Sequence, residues 1–527
     1  MSARLPPHLA GLENPRAYPH AVAAVEIIET HISWVLLAGE FAYKIKRPVC
    51  YPFIDLRDPA RRTYLCEEEL RLNRRFAPEL YVELCEIVRV DGEARIGGRG
   101  LVLEHAVRMH RFRRADELDR LLDARRVDPA ELERFGRELA LIHARLPAVP
   151  AGAPWGRPAE IQSLLGRNLG ECAQAARVLG REAHVLSLRG PLERQLPAAA
   201  PWMAARRASG RVRECHGDLH SRNVARIGAR LVAFDCIEFE PAFRWIDVAE
   251  ELAMLSSDLA ARGRSLHAHA LRRGYLAESG DYQACRLLKL YEAHTALVRA
   301  KVAALSAAAT AEPLERQSLR AEHLRLVAHA AAALERSSAT SRLILMCGLS
   351  GSGKTWLARL LAERLLAVHL RSDVQRKRRA GLDQLAASRS APGAGLYTAE
   401  ATAAVYDDLA RAAEDVIAGG YSAIVDASFL RRAPRAQFVA LGRRLGAPLH
   451  IVCCEAAPAV LRARIAERRR TGRDPSEADE SVLEWQLAHR EPLRPQEQID
   501  AIEVSTADSH ALDRVEQHIC RAERSER

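Results

Sequence analysis

The stretch Arg342-Leu343-Ile344-Leu345-Met346-Cys347-Gly348-Leu349-Ser350-Gly351-Ser352-Gly353-Lys354-Thr355 decides how this chain is read. It opens as a short apolar run of strand character, breaks at Gly348 and continues from Lys354 into a helical pattern. Gly348, Gly353, Lys354 and Thr355 fit the spacing G-x-x-x-x-G-K-[ST], with Ser350, Gly351 and Ser352 inside the loop. In such a loop the glycines let backbone N–H groups close round a triphosphate, the lysine reaches the β- and γ-phosphates, and the threonine hydroxyl ligates magnesium. The helix that follows adds the positive end of its dipole. The expectation is a site for ATP or GTP with Mg2+ near residue 350.

Downstream, a strand at 367–371 leads into Ser372-Asp373-Val374-Gln375-Arg376, and a further strand, Ser422 to Asp426, ends in a carboxylate. Strands alternating with helices imply a parallel sheet with ligands at the carboxyl ends of its strands, where Asp373 and Asp426 fall. Leu461 to Arg470 is an arginine-rich helix in which Arg464 and Arg468 lie one turn apart and share a face. This half resembles the P-loop kinases of polynucleotide-kinase, gluconate-kinase and zeta-toxin type, which are AAA-family ATPase-like. The resemblance implies that Asp373, with Arg376 in a D-x-x-R pattern, activates the acceptor hydroxyl. It also implies that Asp426 is the Walker B-type aspartate near magnesium, and that Arg464 and Arg468 belong to a lid that neutralises the phosphoryl group in transfer.

Upstream, Thr30 to Leu37 and Phe41 to Lys46 read as a hairpin with its turn at Ala38-Gly39-Glu40, and Lys44 and Lys46 point to one face. A helix is expected from Arg61 to Phe76, carrying Glu67, Glu68 and Glu69. A strand pair follows, Tyr81 to Val90 and Leu101 to His105, joined by a turn at Gly97-Gly98. Helices dominate from Asp116 to about Arg207. Then comes Cys215-His216-Gly217-Asp218-Leu219-His220-Ser221-Arg222-Asn223, followed by the strand Arg230 to Phe234 and Asp235. Phosphoryl transfer needs a carboxylate to orient the acceptor hydroxyl, plus an amide oxygen and a second carboxylate on magnesium, and Asp218, Asn223 and Asp235 have the types and order for that work.

These residues resemble the aminoglycoside phosphotransferase family, the small-molecule branch of the protein-kinase-like fold, over roughly residues 20–335. His216, Asp218 and Asn223 match its H-x-D-x-x-x-x-N loop, and Asp235 stands where its metal aspartate follows. The resemblance implies that Lys44 or Lys46 holds the nucleotide phosphates, paired with Glu68 or Glu69. Glu138 to Ala144 is similar to the helix before the family's catalytic loop, and Arg244 to Ala249 to its structural aspartate segment.

The rest of the chain is consistent with a packed protein of two or three domains: 527 residues, 48% apolar and 28% charged. The formal charge of +10 is spread through an arginine- and alanine-rich composition, so a nucleic-acid partner is the less favoured reading. Eleven cysteines without a C-x-x-C pair suit reduced thiols. The absence of a signal pattern or an 18-residue apolar run suits a cytoplasmic protein without a membrane partner.

The fold expected is α+β and α/β: a protein-kinase-like bilobal domain at 1–337, a linker at 338–341, and a P-loop NTPase domain with a three-layer parallel sheet at 342–527. The function expected is ATP- and Mg2+-dependent phosphoryl transfer to hydroxyls of small molecules, at both sites. Two alternatives stand beside it: polynucleotide 5′-kinase activity in the P-loop domain, or one domain acting as a nucleotide-binding regulator of the other. The sequence leaves the acceptors and the oligomeric state open.

Overall fold

A computed structural model describes residues 4–525 apart from 52–53, 336–340, 389, 391–393, 472–473 and 499–500, and of 521–525 only the helical backbone. The expected linker therefore lies outside the described residues except for Ser341. Contacts divide the chain into two compact units. One comprises residues 1–164 and 203–259, the other 165–202 and 260–527.

The first unit is built on a six-stranded antiparallel sheet in the order Val25–Glu29, Ser33–Ala38, Phe41–Lys46, Leu101–His110, Tyr81–Val90, Glu93–Ile96. Phe41–Lys46 is central, with Lys44 opposite Val35 on one neighbour and Val107 on the other. Alternation sorts its side chains: Tyr43 and Ile45 enter a core with Trp34, Leu36, Leu9 and Leu12, while Ala42 faces a cluster with Val107, Cys66 and Leu80. Lys44 and Lys46 share the latter face with the helix Pro59–Asn73. Asp58 starts that helix by accepting the Ala60 N–H, and Pro59 fills the first turn. Its buried residues, Arg62, Leu65, Cys66, Glu69, Leu72 and Asn73, recur at three and four, so Glu69 points inward while Glu68 does not.

Glu93–Ile96 is one of the strands that escaped the sequence reading. Tyr81–Val90 does not run through Gly97-Gly98 directly to its partner; it turns at Asp91-Gly92 (φ 53° and 83°) into the short strand Glu93–Ile96. Asp-Gly is the dipeptide that a tight hairpin with two positive φ angles requires, and it was the better turn signal. The partner strand also continues to His110, beyond the expected His105.

The second unit holds five strands, all parallel, in the order Val368–Arg371, Ala423–Asp426, Leu343–Cys347, Leu449–Glu455, Ala501–Ser505. Leu343–Cys347 is buried at every position, as a central strand covered on both faces must be. Its core joins Ile344 and Met346 to Leu357, Leu361, Val452, Val515 and Ile519. The helices Ser265–Ser279, Cys285–Ala309 and Pro313–Glu335 belong to this unit. Arg273 pairs with Glu363 at 2.7 Å and Arg286 with Asp415 at 2.5 Å. Gly419 lies so close to this helical layer that a Cβ there would stand 2.1 Å from the Cys285 carbonyl oxygen.

All eleven cysteines are free thiols, and no helix among the described residues is long and apolar enough to cross a membrane.

Candidate active sites

In the first unit the loop 215–223 runs between the strands Val212–Glu214 and Val224–Ile227. Gly217 has φ +88°, and a Cβ there would lie 2.7 Å from the Phe243 carbonyl oxygen, so the loop can pass only with glycine. His216 braces it. Its Nε2–H donates to the Phe234 carbonyl at 2.8 Å and its Nδ1 accepts the Asp218 N–H at 3.3 Å, which fixes a neutral tautomer. Burial pushes the His216 pKa down, in the same sense. The His216 backbone N–H donates to Glu251, which also faces His143 Nε2 at 3.4 Å. His216 is thus a strut of the loop rather than a proton carrier.

Asp218 is brought into position by two neighbours. Asn223 Nδ2 donates to its carbonyl at 3.0 Å and to Oδ2 at 3.3 Å, and His220 Nε2 stands 3.4 Å from Oδ2. The Asp218 side chain remains 43% exposed, accessible to a ligand. Ser221 N–H donates to the buried Asp258, which ties the end of the loop down.

Asp235 follows at φ +68°, its N–H donated to the Tyr81 hydroxyl at 3.1 Å. It meets Lys44, whose Nζ lies 2.5 Å from Asp235 Oδ1 and 2.8 Å from Glu69 Oε1. Burial opposes ionisation of Asp235, but the Lys44 ammonium outweighs it and holds the carboxyl below its ordinary value. Burial likewise opposes the charge on Lys44, and Asp235 and Glu69 outweigh it, raising that pKa well above normal.

Lys46, the alternative phosphate ligand in the sequence reading, is enclosed instead. It is 1% exposed and lies 2.5 Å from both Glu69 Oε2 and Glu238 Oε1, which leaves no face for a nucleotide. Glu69 bridges the two lysines, whereas Glu68 pairs with Arg71 and Arg244.

In the second unit the phosphate loop bends at Gly348 (φ 142°), Gly351 (φ 81°) and Gly353 (φ 86°). A Cβ on Gly348 would stand 2.4 Å from the Cys454 carbonyl oxygen and one on Gly353 2.6 Å from Thr506 Oγ1, so the loop is packed from behind. Lys354 opens the helix Lys354–Leu365, and its Nζ donates to the Leu349 carbonyl at 2.8 Å, closing the loop on itself. Ser352 Oγ is buried without a hydrogen-bond partner.

A cavity of about 580 Å³ opens over this loop. Its wall includes Ser350, Gly351, Gly353, Lys354 and Thr355, and opposite them Asp373, Arg376, Asp426, Arg464 and Arg468; every sequence-predicted site residue of this half except Gly348 and Ser352 lines it. Asp426 accepts from His369 Nε2 at 3.2 Å. Burial would raise its pKa, but His369, with Arg371 and Lys354 behind it, holds it at about 2. Arg376 donates to the Leu396 carbonyl and lies over the Tyr397 ring at 4.7 Å. Arg464 reaches Thr506 Oγ1 at 2.8 Å and the Gly351 carbonyl at 3.3 Å, and Arg468 the Ala478 carbonyl at 2.8 Å. Lys354, Arg359, Arg371, Arg376, Arg464 and Arg468 against Asp373, Asp426 and Asp474 make a cavity suited to a polyanion.

The sequence reading missed Glu238, Glu251, His220, His369 and Gln486. Glu238, Glu251, His369 and Gln486 act across the fold on residues that were found, and no local pattern marks them, whereas His220 lies two residues from Asp218 in the same loop. The donor sets fit the cofactors that were expected. The glycine cradle with Lys354 suits a triphosphate. Thr355 with Asp426, and Asn223 with Asp235, supply the hard oxygen ligands magnesium takes.

Two family models match the chain, the first of them over residues of both compact units. Residues 54–288 match the model of the phosphotransferase enzyme family, and residues 343–493 match that of an AAA domain. The chain carries a phosphotransferase-family domain and an AAA-type P-loop kinase domain. It is a kinase-type enzyme of two domains, one on an antiparallel and one on a parallel sheet. Uncharacterized proteins of Mycobacterium tuberculosis (strain ATCC 25618 / H37Rv) and Mycobacterium bovis are 26% identical to it over 480 residues, covering 88% of this chain and 92% of theirs. Among solved structures, a Plasmodium vivax ethanolamine kinase is similar at 12% identity and a TM-score of 0.34, over 58% of this chain and 81% of its own. A sugar kinase from Janibacter sp. HTCC2649 is similar at 22% identity and a TM-score of 0.28, over 34% and 95%.

Proposed function

We propose that the chain is a bifunctional, ATP- and magnesium-dependent kinase that phosphorylates hydroxyl groups of small molecules at two separate sites. What supports this reading is that each domain carries candidate groups for transfer: Lys44 meets Asp235 and Asn223 meets Asp218 in one, and Lys354, Thr355, Asp373, Asp426, Arg376, Arg464 and Arg468 line one cavity in the other.

ATP, when bound with magnesium, supplies the phosphoryl group, and the metal screens its charge. In the first domain Lys44 holds phosphate oxygens, and Asn223 and Asp235 hold the metal. Asp218 orients the acceptor hydroxyl and takes its proton at the carboxylate, with the Asn223 and His220 hydrogen bonds keeping that carboxylate in one rotamer. Lys44 and Asp235 are in contact in this structure, so a bound nucleotide exchanges this half-exposed ion pair for contacts of its own with each of the two.

In the second domain the loop N–H groups and Lys354 hold the phosphates, Thr355 and Asp426 the metal. Asp373 takes the acceptor proton, and Arg464 and Arg468 offset the charge that develops in transfer.

The test is turnover of MgATP by the full chain against a panel of sugars, sugar acids, amino alcohols and 5′-hydroxyl oligonucleotides, with Asp218→Asn and Asp373→Asn alongside. Each variant is expected to lose transfer to a different acceptor by about 10²- to 10⁴-fold. If both variants turn over ATP like the parent, both sites are binding modules and the reading fails. Transfer to the oligonucleotide lost in Asp373→Asn would replace the small-molecule reading of the second site with a polynucleotide one.

A further inference from the structure

The phosphate loop is in contact with a side chain that no motif assigns to it. Ser350 N–H, one of the loop donors, is already taken: it donates to Gln486 Oε1 at 2.8 Å, and both residues are only 9% exposed. Gln486 sits on the helix Glu480–His489, which Asp479 caps by accepting the Val482 N–H. Leu483 packs with Leu461 and Ile465, and Leu487 and the loop residue Leu349 pack against the same cluster. The helix is therefore seated on the phosphate loop by apolar contact on either side of Gln486, and the carboxamide is placed rather than free to wander.

A carboxamide has one acceptor oxygen and an NH2 with two donors. With Oε1 committed to Ser350, the plane of the amide is set and Nε2 lies on its other edge. Among the described residues Nε2 has no hydrogen-bond partner, and Gln486 lines the same cavity as Lys354, Thr355, Asp373 and Arg468.

We propose that Gln486 contacts the terminal phosphate in the P-loop site: Oε1 holds the Ser350 N–H, and Nε2 donates to an oxygen of the third phosphate of a bound nucleoside triphosphate. The inference rests on the reading of this loop as an ATP site. It gives the helix Glu480–His489 a way to distinguish ATP from ADP, because only the triphosphate carries the group that Nε2 addresses. A diphosphate leaves those donors to solvent.

Gln486→Glu separates this role from packing. The carboxylate keeps the shape and an oxygen for Ser350, but puts negative charge where the amide donors were. The full chain carrying Lys44→Met, which removes the phosphate lysine of the other domain, is titrated with MgATP and with MgADP by calorimetry, with and without Gln486→Glu. The expected result is an MgATP affinity lower by about ten- to a hundredfold, the range for a lost hydrogen bond to a charged group, with MgADP affinity changed by less than about threefold. Gln486→Met, which lacks both the oxygen and the donors, is expected to weaken both nucleotides and ATP more. Equal shifts for ATP and ADP in Gln486→Glu, or no shift in either, overturn the inference while leaving the P-loop reading intact. If the Lys44→Met parent, folded by its melting curve, binds neither nucleotide, the P-loop reading falls and this inference with it; if that parent is unfolded, the same titrations are made on the full chain with Lys44 intact, where Gln486→Glu is expected to weaken one MgATP site and no MgADP site.

Discussion

The two candidate sites hold their charges in opposite ways. In the first domain the key lysine is part of a closed ionic cluster: Lys44, Lys46, Glu69, Asp235 and Glu238 satisfy one another within 2.5–2.8 Å, mostly out of contact with water. In the second, Lys354 rests on a neutral carbonyl, and the arginines round it bind carbonyls, a hydroxyl or an aromatic face more often than carboxylates. The first site is assembled by its own ion pairs and must exchange partners to take a ligand. The second is a cavity in which cations outnumber the carboxylates Asp373, Asp426 and Asp474, so its positive charge is only partly compensated. Mutations in the ion-pair cluster of the first should therefore act through stability, and mutations of the cavity arginines of the second through function.

The largest expected contrast follows directly. Glu69→Gln leaves two buried lysines short of a carboxylate and should destabilise the protein by about 3–5 kcal/mol, the usual cost of breaking a buried pair from one side. Arg464→Ala removes a partly solvated cation from the cavity wall. It should leave the thermal midpoint nearly unchanged while transfer at the P-loop site drops by about 10²- to 10³-fold. Denaturation and turnover measured on both variants check the contrast. A stable Glu69→Gln protein or an unfolded Arg464→Ala protein breaks it.

The next contrast is in pH. Burial, with Asp247 and Glu251 nearby, raises the Glu250 pKa to about 8 from an ordinary 4.5. Its contribution is undiminished below pH 4.5, where both states hold the proton, and falls as pH rises toward 8, because the unfolded chain releases a proton that the folded one retains. Glu250→Gln should thus gain a few kcal/mol over the parent between pH 5 and 8. Asp426 has the opposite sign: its pKa is lowered to about 2 from 3.8, so its contribution is full above pH 4 and disappears as pH falls toward 2. Asp426→Asn should cost about 2 kcal/mol at neutral pH and nothing near pH 2. Melting curves of parent and variants across pH 2–8 give both slopes.

What was legible in the sequence follows the same division. The P-loop is local: strand, glycines, lysine and helix lie within fourteen residues, and their spacing alone dictates the chemistry. The loop 215–223 of the first domain was legible for the same reason. The partners were not. Glu238 comes to Lys46 across 192 residues and Glu251 to His216 across 35, and a buried carboxylate in sequence looks like any other. The choice between Glu68 and Glu69 turned on helix phase, which two adjacent glutamates cannot reveal until the apolar face is known. The choice between Lys44 and Lys46 turned on enclosure, since both lie on the same face of one strand and only Lys46 meets Glu238.

The smallest expected effect concerns how far the second site depends on chain outside its own sheet. The helix Ser372–Arg379 carries Asp373 and Arg376, and it is tied down by Arg378, which donates to the Ala277 carbonyl at 2.5 Å; Gln384 donates to the same carbonyl at 3.2 Å. Ala277 lies within the segment that matches the phosphotransferase family, not the AAA domain. Arg378 itself does not line the cavity. Arg378→Ala should therefore cost about 1 kcal/mol of placement, seen as a rise of a few-fold in KM for the acceptor of the P-loop site, with the affinity for MgATP unchanged. Arg378→Lys, which can still reach the carbonyl with one donor, should recover part of that loss. An unchanged KM would mean that Asp373 and Arg376 are held by the cavity wall alone, through the Leu396 carbonyl and the Tyr397 ring. A matching loss of MgATP affinity would mean that the helical layer braces the whole phosphate loop and not only its acceptor side.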